Sequence, residues 1–504
     1  KGAASSLYGS GALSGVINII TKNPNSHPDF QFRQNAGIFD RPSVPRWKWT
    51  DRTLYFHRTD FGYSDRFGPL GVRFDLAHQF STGDREMGRF NRWFLTGKSK
   101  LVLPDRSNLT LFFSYSYDDR DLFLRWLRQN NALNVPPSDR GNRFKLRGAL
   151  GYVVYRQLFS STLSAKVRLA YNRQLPGVPF HLTSSFRPAL GLSGQVQINW
   201  QPHPDHRISL GFDYSRDQVA AKYYGKRYAN GVSPYIQEIW KVSRRWQLNM
   251  GARYDTYSLV GDSVETQLSP RIGFSFQPLP ATILHFSFGK GFRAASVVER
   301  YLSVESGGDV RVIANPQLPP ERSTLWDTGI RQTLGRSVFA ELTAFVSEYD
   351  NLIELTLSPQ SLSVQYLSYP RARISGLEAA LRWKFRPEHF TLNANATWMK
   401  PVFVGSGEPL PYRPRFIGLV TPQFFFGHFN AAVDFRYVSP IEKVMVYPKD
   451  ERVPVKIWNL RIGYKWRNLE FKFMVRNAGN YNYTVSERVL GEIRNFSVGI
   501  DGKF

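Results

Sequence analysis

One segment of the sequence alternates basic and tyrosine side chains, a combination that suits the binding of an anion. It comprises Lys222, Tyr223, Tyr224, Lys226, Arg227 and Tyr228. Fixed cations attract an anionic ligand, and tyrosines supply flat faces and hydroxyl donors at modest entropic cost. We therefore predict a ligand-binding loop here. The alternative is that the cations contact lipid phosphates while the tyrosines lie in an interfacial aromatic girdle.

Other segments that resemble chemical motifs have structural explanations. A dinucleotide-binding loop that starts at Gly9 needs glycine at position 14, where the sequence has Ser14. His203 and His206 lie in a proline-rich turn, which indicates solvated side chains. The chain has no cysteine, so thiolate sites are excluded, and it lacks the GxSxG motif of serine hydrolases. We predict no catalytic residue, no metal site and no cofactor.

Composition narrows the class of protein. The 504 residues are 42% hydrophobic and 15% aromatic, too apolar for a disordered chain. No apolar run approaches the roughly 20 residues of a membrane-spanning helix. The net charge of +26 could indicate nucleic-acid binding, but the charge is spread along the chain without a recognised binding motif. We predict no nucleic-acid partner.

A period of two dominates the chain and predicts strands. In 390–398 the apolar residues Phe390, Leu392 and Trp398 alternate with polar ones such as Thr391 and Asn393. The same alternation recurs in 192–200, 246–254 and 469–476. We find no helical period of any length, so the fold class is all-β.

The connections alternate between short turns and long loops. Turns with proline or glycine occur at 104–106, 202–204, 278–280, 335–336, 386–388 and 427–428. Between them lie polar loops at roughly 118–142, 173–189, 217–231, 293–321, 349–372, 400–414, 439–454 and 481–493. This asymmetry predicts a transmembrane antiparallel β-barrel of about 22 strands. A soluble propeller or tandem sandwich is the alternative, but the sequence lacks a repeat of about 40 to 50 residues.

Charged residues on the predicted strands occupy the polar parity, which indicates that they line the lumen. Arginine or lysine facing lipid costs about 2 to 4 kcal/mol at mid-bilayer. A positive lumen would favour anionic cargo or hold an acidic plug surface, and both interpretations stay open. The residues concerned are Arg168, Arg253, Arg436, Arg461, Lys465 and Lys472.

Four motifs, in order, resemble those of TonB-dependent outer-membrane receptors. The segment 7–22 resembles the end of the family's plug domain. Residues 289–294 and 315–321 together resemble the family's mid-barrel "FRAP … NPxLxPE" pair, and residues 374–378 resemble its "xxGxE" strand. Residues 475–481 and the C-terminus resemble its closing hairpin. The residues that carry the resemblance are Tyr8, Gly9, Gly11, Gly15 and Asn18 in the plug motif, and Phe292, Arg293, Asn315, Pro316, Glu321, Gly376, Glu378, Asn477, Tyr481 and Phe504 in the barrel. Ala295 and 478–480 depart from the family pattern.

The resemblance implies a siderophore-receptor-like protein of the Gram-negative outer membrane. Residues 1–24 would be the end of a plug domain, most of which would precede Lys1, and 25–504 would be the barrel. Such a receptor imports a scarce ligand, here a ferric siderophore or similar anionic metal chelate. The implied partners are a TonB-type periplasmic energy transducer, which would act through the plug, and outer-membrane lipid and lipopolysaccharide. The resemblance also implies a monomer.

Several alternatives stay open at this stage. A passive pore with a reduced plug would conduct without an energising partner. The imported ligand could also be cobalamin or an oligosaccharide. An outer-membrane enzyme is a further alternative, which hydrolysis of phospholipid or peptide by the purified protein would support. A soluble β lectin or adhesin is another, which extraction without detergent would support.

Overall fold

The structure, a computed structural model, is a closed antiparallel β-barrel. It describes residue 13 and residues 15–177, 187–221, 224–259, 261, 263–305, 311–358, 363–386, 388–444 and 452–504. One sheet contains 24 strands, of which β14 and β15 belong to a loop, so 22 strands form the wall. The prediction of an all-β barrel of about 22 strands is confirmed.

The wall strands are β1 (Asp29–Phe39), β2 (Tyr55–Phe67), β3 (Leu70–Ser81), β4 (Phe90–Val102), β5 (Ser107–Asp121), β6 (Arg143–Leu158), β7 (Leu163–Pro176), β8 (Ala189–His203), β9 (His206–Ala221), β10 (Gly225–Lys241), β11 (Trp246–Leu259), β12 (Val264–Leu279), β13 (Thr282–Arg293), β16 (Glu321–Leu334), β17 (Val338–Ser358), β18 (Ser363–Phe385), β19 (Phe390–Phe403), β20 (Phe416–Phe426), β21 (Phe429–Val438), β22 (Val455–Trp466), β23 (Leu469–Arg476) and β26 (Asn495–Lys503). The loops contain β14 (Val304–Glu305), β15 (Arg311–Ile313), β24 (Thr484–Ser486), β25 (Val489–Leu490), helix α1 (Val297–Tyr301) and 3₁₀ turns at Pro45–Trp47 and Pro137–Asp139.

The first and last strands close the barrel. β1 pairs with β26 from Gln31 opposite Lys503 to Phe39 opposite Asn495, so the wall has no free edge. At the chain end, the Phe504 amide donates to the Phe30 carbonyl at 2.9 Å. No helix in the described part of the chain is long and apolar enough to cross a membrane.

The two ends of the barrel differ as the sequence predicted. All six predicted short turns lie at one end, and left-handed residues such as Gly335 and Gly427 (φ 57° and 55°) reverse the chain there. The long loops lie at the other end. Two of them are shorter than predicted, because the β9–β10 ladder continues to Ala221 opposite Gly225 and the β17–β18 ladder to Ser358 opposite Ser363.

The alternation along each strand separates an apolar outer surface from a polar lumen. On β11 the side chain of Tyr254 is 44% exposed, whereas its neighbour Arg253 is 5% exposed and bonds Asp213 at 2.6 Å and Asp255 at 2.8 Å. Arg461 on β22 likewise pairs with Asp434 at 2.8 Å. Exposed Leu, Val, Ile and aromatic residues recur at every second position of the wall, as a lipid-facing surface requires.

The segment before β1 crosses the lumen. The carbonyl of Leu13 accepts a hydrogen bond from Ser323 Oγ on β16 at 2.9 Å, and the carbonyl of Thr21 accepts one from Lys98 Nζ on β4 at 3.2 Å. Strands β4 and β16 lie nearly opposite each other in the ring. The amide of Asn25 then donates to Ser64 Oγ at 2.7 Å, just before the chain enters the wall.

Candidate ligand-binding site at the long-loop end

The first mid-barrel motif ends in a buried ionic cluster. Arg293, the last residue of β13, donates from Nη1 to Glu299 Oε2 at 2.8 Å and also pairs with Glu321. Glu321 Oε1 accepts the Ile353 amide at 2.6 Å. Burial alone would raise the pKa of Glu299, but hydrogen bonds from Arg293 and Ser296 outweigh it, so the pKa is lowered. The charged side chains of this cluster therefore join the end of β13 to helix α1, β16 and β17.

Helix α1 joins the two halves of that motif pair. Ser296 caps the helix by accepting the Glu299 amide at 3.2 Å, and the Glu299 carboxylate accepts the Ser296 amide at 2.7 Å, which makes a capping box. Arg300 donates to the Leu318 carbonyl at 2.9 Å. Phe292 and Leu318 are almost fully buried, and Leu318 packs with Ala295 and Ile353 in one hydrophobic cluster.

The second half of the pair is fastened to β18. Asn315 Nδ2 donates to the Tyr366 carbonyl at 2.9 Å, and Gln365 Nε2 donates to the Ala314 carbonyl at 3.1 Å. Pro316 is exposed in the turn that follows Asn315. These contacts use the motif residues to position a loop.

The other two barrel motifs also have structural positions. Gly376 lies where a Cβ would meet the Trp398 carbonyl oxygen at 2.2 Å, so any side chain would displace β19. Glu378 follows on the same inward face, opposite Thr397. Asn477 has φ 47° and donates to the Tyr481 carbonyl at 2.9 Å, which turns the chain out of β23.

The remaining motif residues lie near the chain ends. Tyr481 Oη donates to the Pro454 carbonyl at 2.8 Å and ties two loops together. The Phe504 ring lies 6.4 Å from the Phe30 ring at the short-turn end. Gly15 and Asn18 belong to the segment that crosses the lumen, where Asn18 is exposed. Tyr8, Gly9 and Gly11 lie outside the described residues.

The basic and tyrosine segment divides between two faces of β10. Lys222 and Tyr223 lie outside the described residues. Lys226 and Tyr228 share the outward parity of Ile236, and Lys226 Nζ lies 5.0 Å from the Tyr228 ring centroid. Arg227 points inward, with Cζ 4.0 Å from the ring of Tyr301, and its Nε donates to the Tyr224 carbonyl at 3.2 Å. The segment is therefore not a single loop surface, and its ligand-binding role stays a prediction.

A cavity between four loops combines aromatic faces with guanidinium groups. It has a volume of about 490 Å³. Trp47, Trp126, Arg128, Tyr483 and Arg488 contribute to its lining. The indole of Trp47 donates to the Gln129 carbonyl at 3.0 Å, which fixes one wall.

This cavity could not be predicted from the sequence, because its residues come from loops distant in the chain. Its only signal is the presence of tryptophan and arginine in predicted polar loops such as 118–142. Large aromatic side chains in such loops need a reason, because tryptophan is costly to expose unless it packs or binds.

An ionic network at Asp84 and Arg85 lies next to the cavity, because Arg85 binds the backbone of Leu490, which lines the cavity. Arg85 Nε pairs with Asp84 at 2.8 Å, and its Nη1 donates to the Leu490 carbonyl at 2.6 Å. Burial raises the pKa of Glu492 and that of Tyr483. The network joins the β3–β4 and β23–β26 loops. Trp47 and Leu490 belong to one cluster of buried hydrophobic residues next to it.

Within the described ranges, no group of three or more histidine, aspartate or glutamate side chains could hold a metal ion. His206 bonds Glu238 at 2.7 Å, and His203 lies near Asp205, in the short turn where the sequence places both histidines.

Comparisons with known proteins agree with this architecture. An iron-regulated outer membrane virulence protein of Vibrio cholerae serotype O1 is 21% identical over 378 residues, which are 72% of this chain and 54% of that protein. The chain thus spans about half the length of this curated relative.

Solved structures share the fold along the whole chain. The ferric enterobactin receptor of Pseudomonas aeruginosa, as a double mutant, has a TM-score of 0.83 at 16% identity, covering 100% of this chain and 84% of that one. The siderophore receptor PirA of Acinetobacter baumannii has a TM-score of 0.80 at 15% identity, with coverage of 100% and 84%. The ferric-catecholate import receptor Fiu of Escherichia coli K12 has a TM-score of 0.77 at 13% identity, with coverage of 100% and 85%.

The family assignment follows from the sequence itself. The model of the TonB dependent receptor-like β-barrel family matches residues 19–478, which is most of the wall described above. The chain therefore belongs to the TonB-dependent receptor-like β-barrel family and is an outer-membrane barrel.

Proposed function

We propose that this chain is the barrel of an active importer for an anionic iron chelate of the siderophore class. The observation that carries the proposal is the cavity lined by tryptophan, tyrosine and arginine at the long-loop end. Three of the structures with the same fold are named for siderophores, enterobactin or catecholates, which supports this ligand class for the present chain.

The cavity has the chemistry that such a ligand needs. Guanidinium groups bind carboxylate or phenolate oxygens through paired N–H donors, and they also stack on aromatic rings. Tryptophan faces offer large apolar contact to catechol-type rings. Arg128 is exposed at the cavity, and its side chain has no ion-pair partner in the part of the chain that the structure describes. An anion can therefore reach it without displacing a carboxylate.

Import itself requires work but no covalent step. We propose that residues 1–24 close a plug domain, that 25–504 form the barrel, and that a TonB-type periplasmic transducer supplies the work through the plug. We also propose that the protein is a monomer whose outward cations, such as Lys226, contact lipopolysaccharide.

Equilibrium binding tests the ligand site. Quenching of tryptophan fluorescence would be measured on the intact protein in detergent with ferric enterobactin, a ferric hydroxamate and ferric citrate. We expect at least one chelate to bind, and Trp126→Ala with Arg128→Ala to weaken it at least tenfold. The control is Arg244→Ala, which removes an exposed cation from the opposite end. Unchanged affinity in the double variant would remove the cavity from the site.

A further inference from the structure

The outer surface of the wall contains an apolar groove across strands β3 to β8, which we call the outer groove. It has a volume of about 640 Å³, and its lining includes Phe74, Phe113, Leu169 and Leu192. Gly151 forms part of its floor. A Cβ added there would meet the Phe112 carbonyl oxygen at 3.7 Å and no other atom of the described residues within 4 Å. The glycine therefore leaves a depression between large apolar side chains.

The register places the outer groove on the lipid-facing surface. Gly151 is opposite Phe113 on β5 and opposite Tyr171 on β7, and both of those side chains are exposed. Residues that are opposite each other in a ladder present their side chains to the same face of the sheet. Lys98 on β4 has the other parity, and its Nζ reaches Thr21 in the segment that crosses the lumen. The wall thus separates the outer groove from the lumen and from any plug domain inside it.

Two arginines lie on the same outer face, just beyond the outer groove toward the long-loop end. Arg173 follows Tyr171 by two residues on β7, which corresponds to about 7 Å along the strand. Arg173 is opposite Ala149 on β6, and Arg147 lies two residues further toward the long loops on that strand. Such diagonal neighbours have Cα atoms about 7–8 Å apart, within reach of long side chains. Both arginines are exposed, so one phosphate group can contact both guanidinium groups.

These two arginines differ from the next cation along β6 in having no carboxylate partner. Arg143, further from the bilayer on the same face, pairs with Asp119. No carboxylate of the described residues forms an ion pair with Arg147 or Arg173. Residues 178–186, which follow β7 and lie outside the described ranges, include no aspartate or glutamate. A plug domain cannot supply a partner either, because it would lie on the other side of the wall. The two arginines are therefore available to an external anion.

The outer groove and the two arginines together have the chemistry of a site for a phosphorylated lipid. Guanidinium groups bind phosphate oxygens through paired N–H donors. Tyr171 lies between the arginines and the bilayer core, where tyrosine is favoured at the membrane interface. The bilayer is itself apolar, so the outer groove contributes close contact and shape rather than a hydrophobic driving force. A molecule that carries both a phosphate and an acyl chain would use both features at once.

We propose that the outer groove, with Arg147 and Arg173, is a binding site for one phosphorylated, acylated glycolipid of the outer leaflet. Its phosphate binds between the two arginines, and one of its acyl chains lies in the outer groove. The site rests on the proposed function in that the long loops must face the exterior, and it gives a location to the proposed contact with lipopolysaccharide. The site is independent of the imported ligand, because it faces the bilayer.

Native mass spectrometry of the intact protein in detergent tests this site, with hexa-acylated, bisphosphorylated lipid A as the probe. We expect one molecule of lipid A to bind each barrel, and phosphatidylethanolamine to bind at least tenfold more weakly. The double variant Arg147→Gln with Arg173→Gln should weaken lipid A binding at least tenfold. Heat-dependent migration in gel electrophoresis would confirm that the variant barrel is folded.

A second variant tests the outer groove without changing the charge. Gly151→Leu places a side chain in the depression, and its Cβ has ordinary van der Waals clearance, so the barrel should fold. We expect it to weaken lipid A binding at least threefold, because the acyl chain loses its place.

Each variant has a matched control. Arg244→Gln with Arg245→Gln removes two exposed cations from the short turn between β10 and β11. Ala165→Leu enlarges an outward side chain of β7, opposite the exposed Ile198 and outside the outer groove. We expect the affinity of both controls for lipid A to stay within twofold of the wild type.

Three results would overturn the proposal. Weakening by the short-turn control equal to that of the arginine variant would show that net charge suffices. Phosphatidylethanolamine that binds as tightly as lipid A would show that the site does not select the phosphorylated glycolipid. Displacement of lipid A by an equal concentration of inorganic pyrophosphate would assign the arginines to soluble phosphates. Chelate binding at the cavity near Trp126 is measured separately, and its failure would leave the lipid titration unaffected, so the two proposals fail separately.

Discussion

The ionic cluster at Arg293 makes a quantitative prediction about the β13–β16 loop. The substitution Glu321→Ala removes a carboxylate whose side chain is only 3% exposed. It takes one of two partners from Arg293 and the acceptor from the buried Ile353 amide, which Glu321 binds at 2.6 Å. Glu299 remains, so Arg293 keeps a counter-ion.

The expected cost follows from these contacts. A buried amide left without an acceptor costs about 1–3 kcal/mol, and complete loss of a buried ion pair costs about 3–5 kcal/mol. Since Glu299 still neutralises Arg293, we expect a total of about 2–4 kcal/mol in local stability. At about 1.36 kcal/mol per factor of ten, amide exchange in the loop should accelerate roughly 30- to 900-fold.

Hydrogen exchange followed by mass spectrometry measures this effect on peptides that cover 294–305 and 311–320. The control is Glu348→Ala, because Glu348 bonds Arg373 at 2.5 Å while both side chains are at least 35% exposed. Such surface pairs contribute about 0–1 kcal/mol. Acceleration below about fivefold for Glu321→Ala, or acceleration equal to that of the control, would refute the account of this cluster.

Three further predictions concern the loops, a close contact and the lipid-facing surface. Burial raises the pKa of Glu492 above its ordinary value of 4.5, so the contribution of Glu492 to loop stability is present below about pH 4.5 and is lost as the pH rises. Glu492→Gln should abolish this pH dependence of loop stability in hydrogen exchange measured from pH 4 to 8. A pH dependence that persists in the variant would belong to another group. Gly376→Ala should lower the free energy of unfolding in guanidinium by about 1–3 kcal/mol. The control Gly405→Ala, which has open space around it, should change the free energy of unfolding by less than about 0.5 kcal/mol. Equal effects of the two substitutions would contradict the close packing at Gly376. Leu210→Arg on the outer surface should lower the stability of the barrel in bilayers by about 2–4 kcal/mol. Ser209→Arg on the inward face should lower it by less than half of that. The reverse order would contradict the assignment of the two faces.

The wall was predictable because its period of two is a direct consequence of lipid outside and water inside. The alternation at Leu392 and Asn393 sufficed to assign strands, and turns with proline or glycine sufficed to separate the two ends. The lengths of the ladders were not predictable. The polar composition of 217–231 indicates a loop, yet backbone pairing between β9 and β10 extends to Ala221 opposite Gly225.

The functional end of the protein was less accessible to sequence reasoning. The motif residues Arg293 and Glu321 were found, but their ion pair depends on a loop that folds back over 28 residues. The cavity at Trp126 and Arg128 depends on the approach of loops from opposite ends of the chain, which closure of β1 on β26 brings together. Local patterns do not encode such proximity.

Uptake of iron-55 chelate by cells that express the intact protein in place of their own siderophore receptors tests the central proposal most directly. We expect accumulation of the chelate that binds the purified protein, and we expect it to fall at least tenfold when the inner-membrane proton gradient is collapsed or the TonB-type transducer is deleted. Accumulation that continues unchanged under both conditions would contradict active import and identify the barrel as a passive pore.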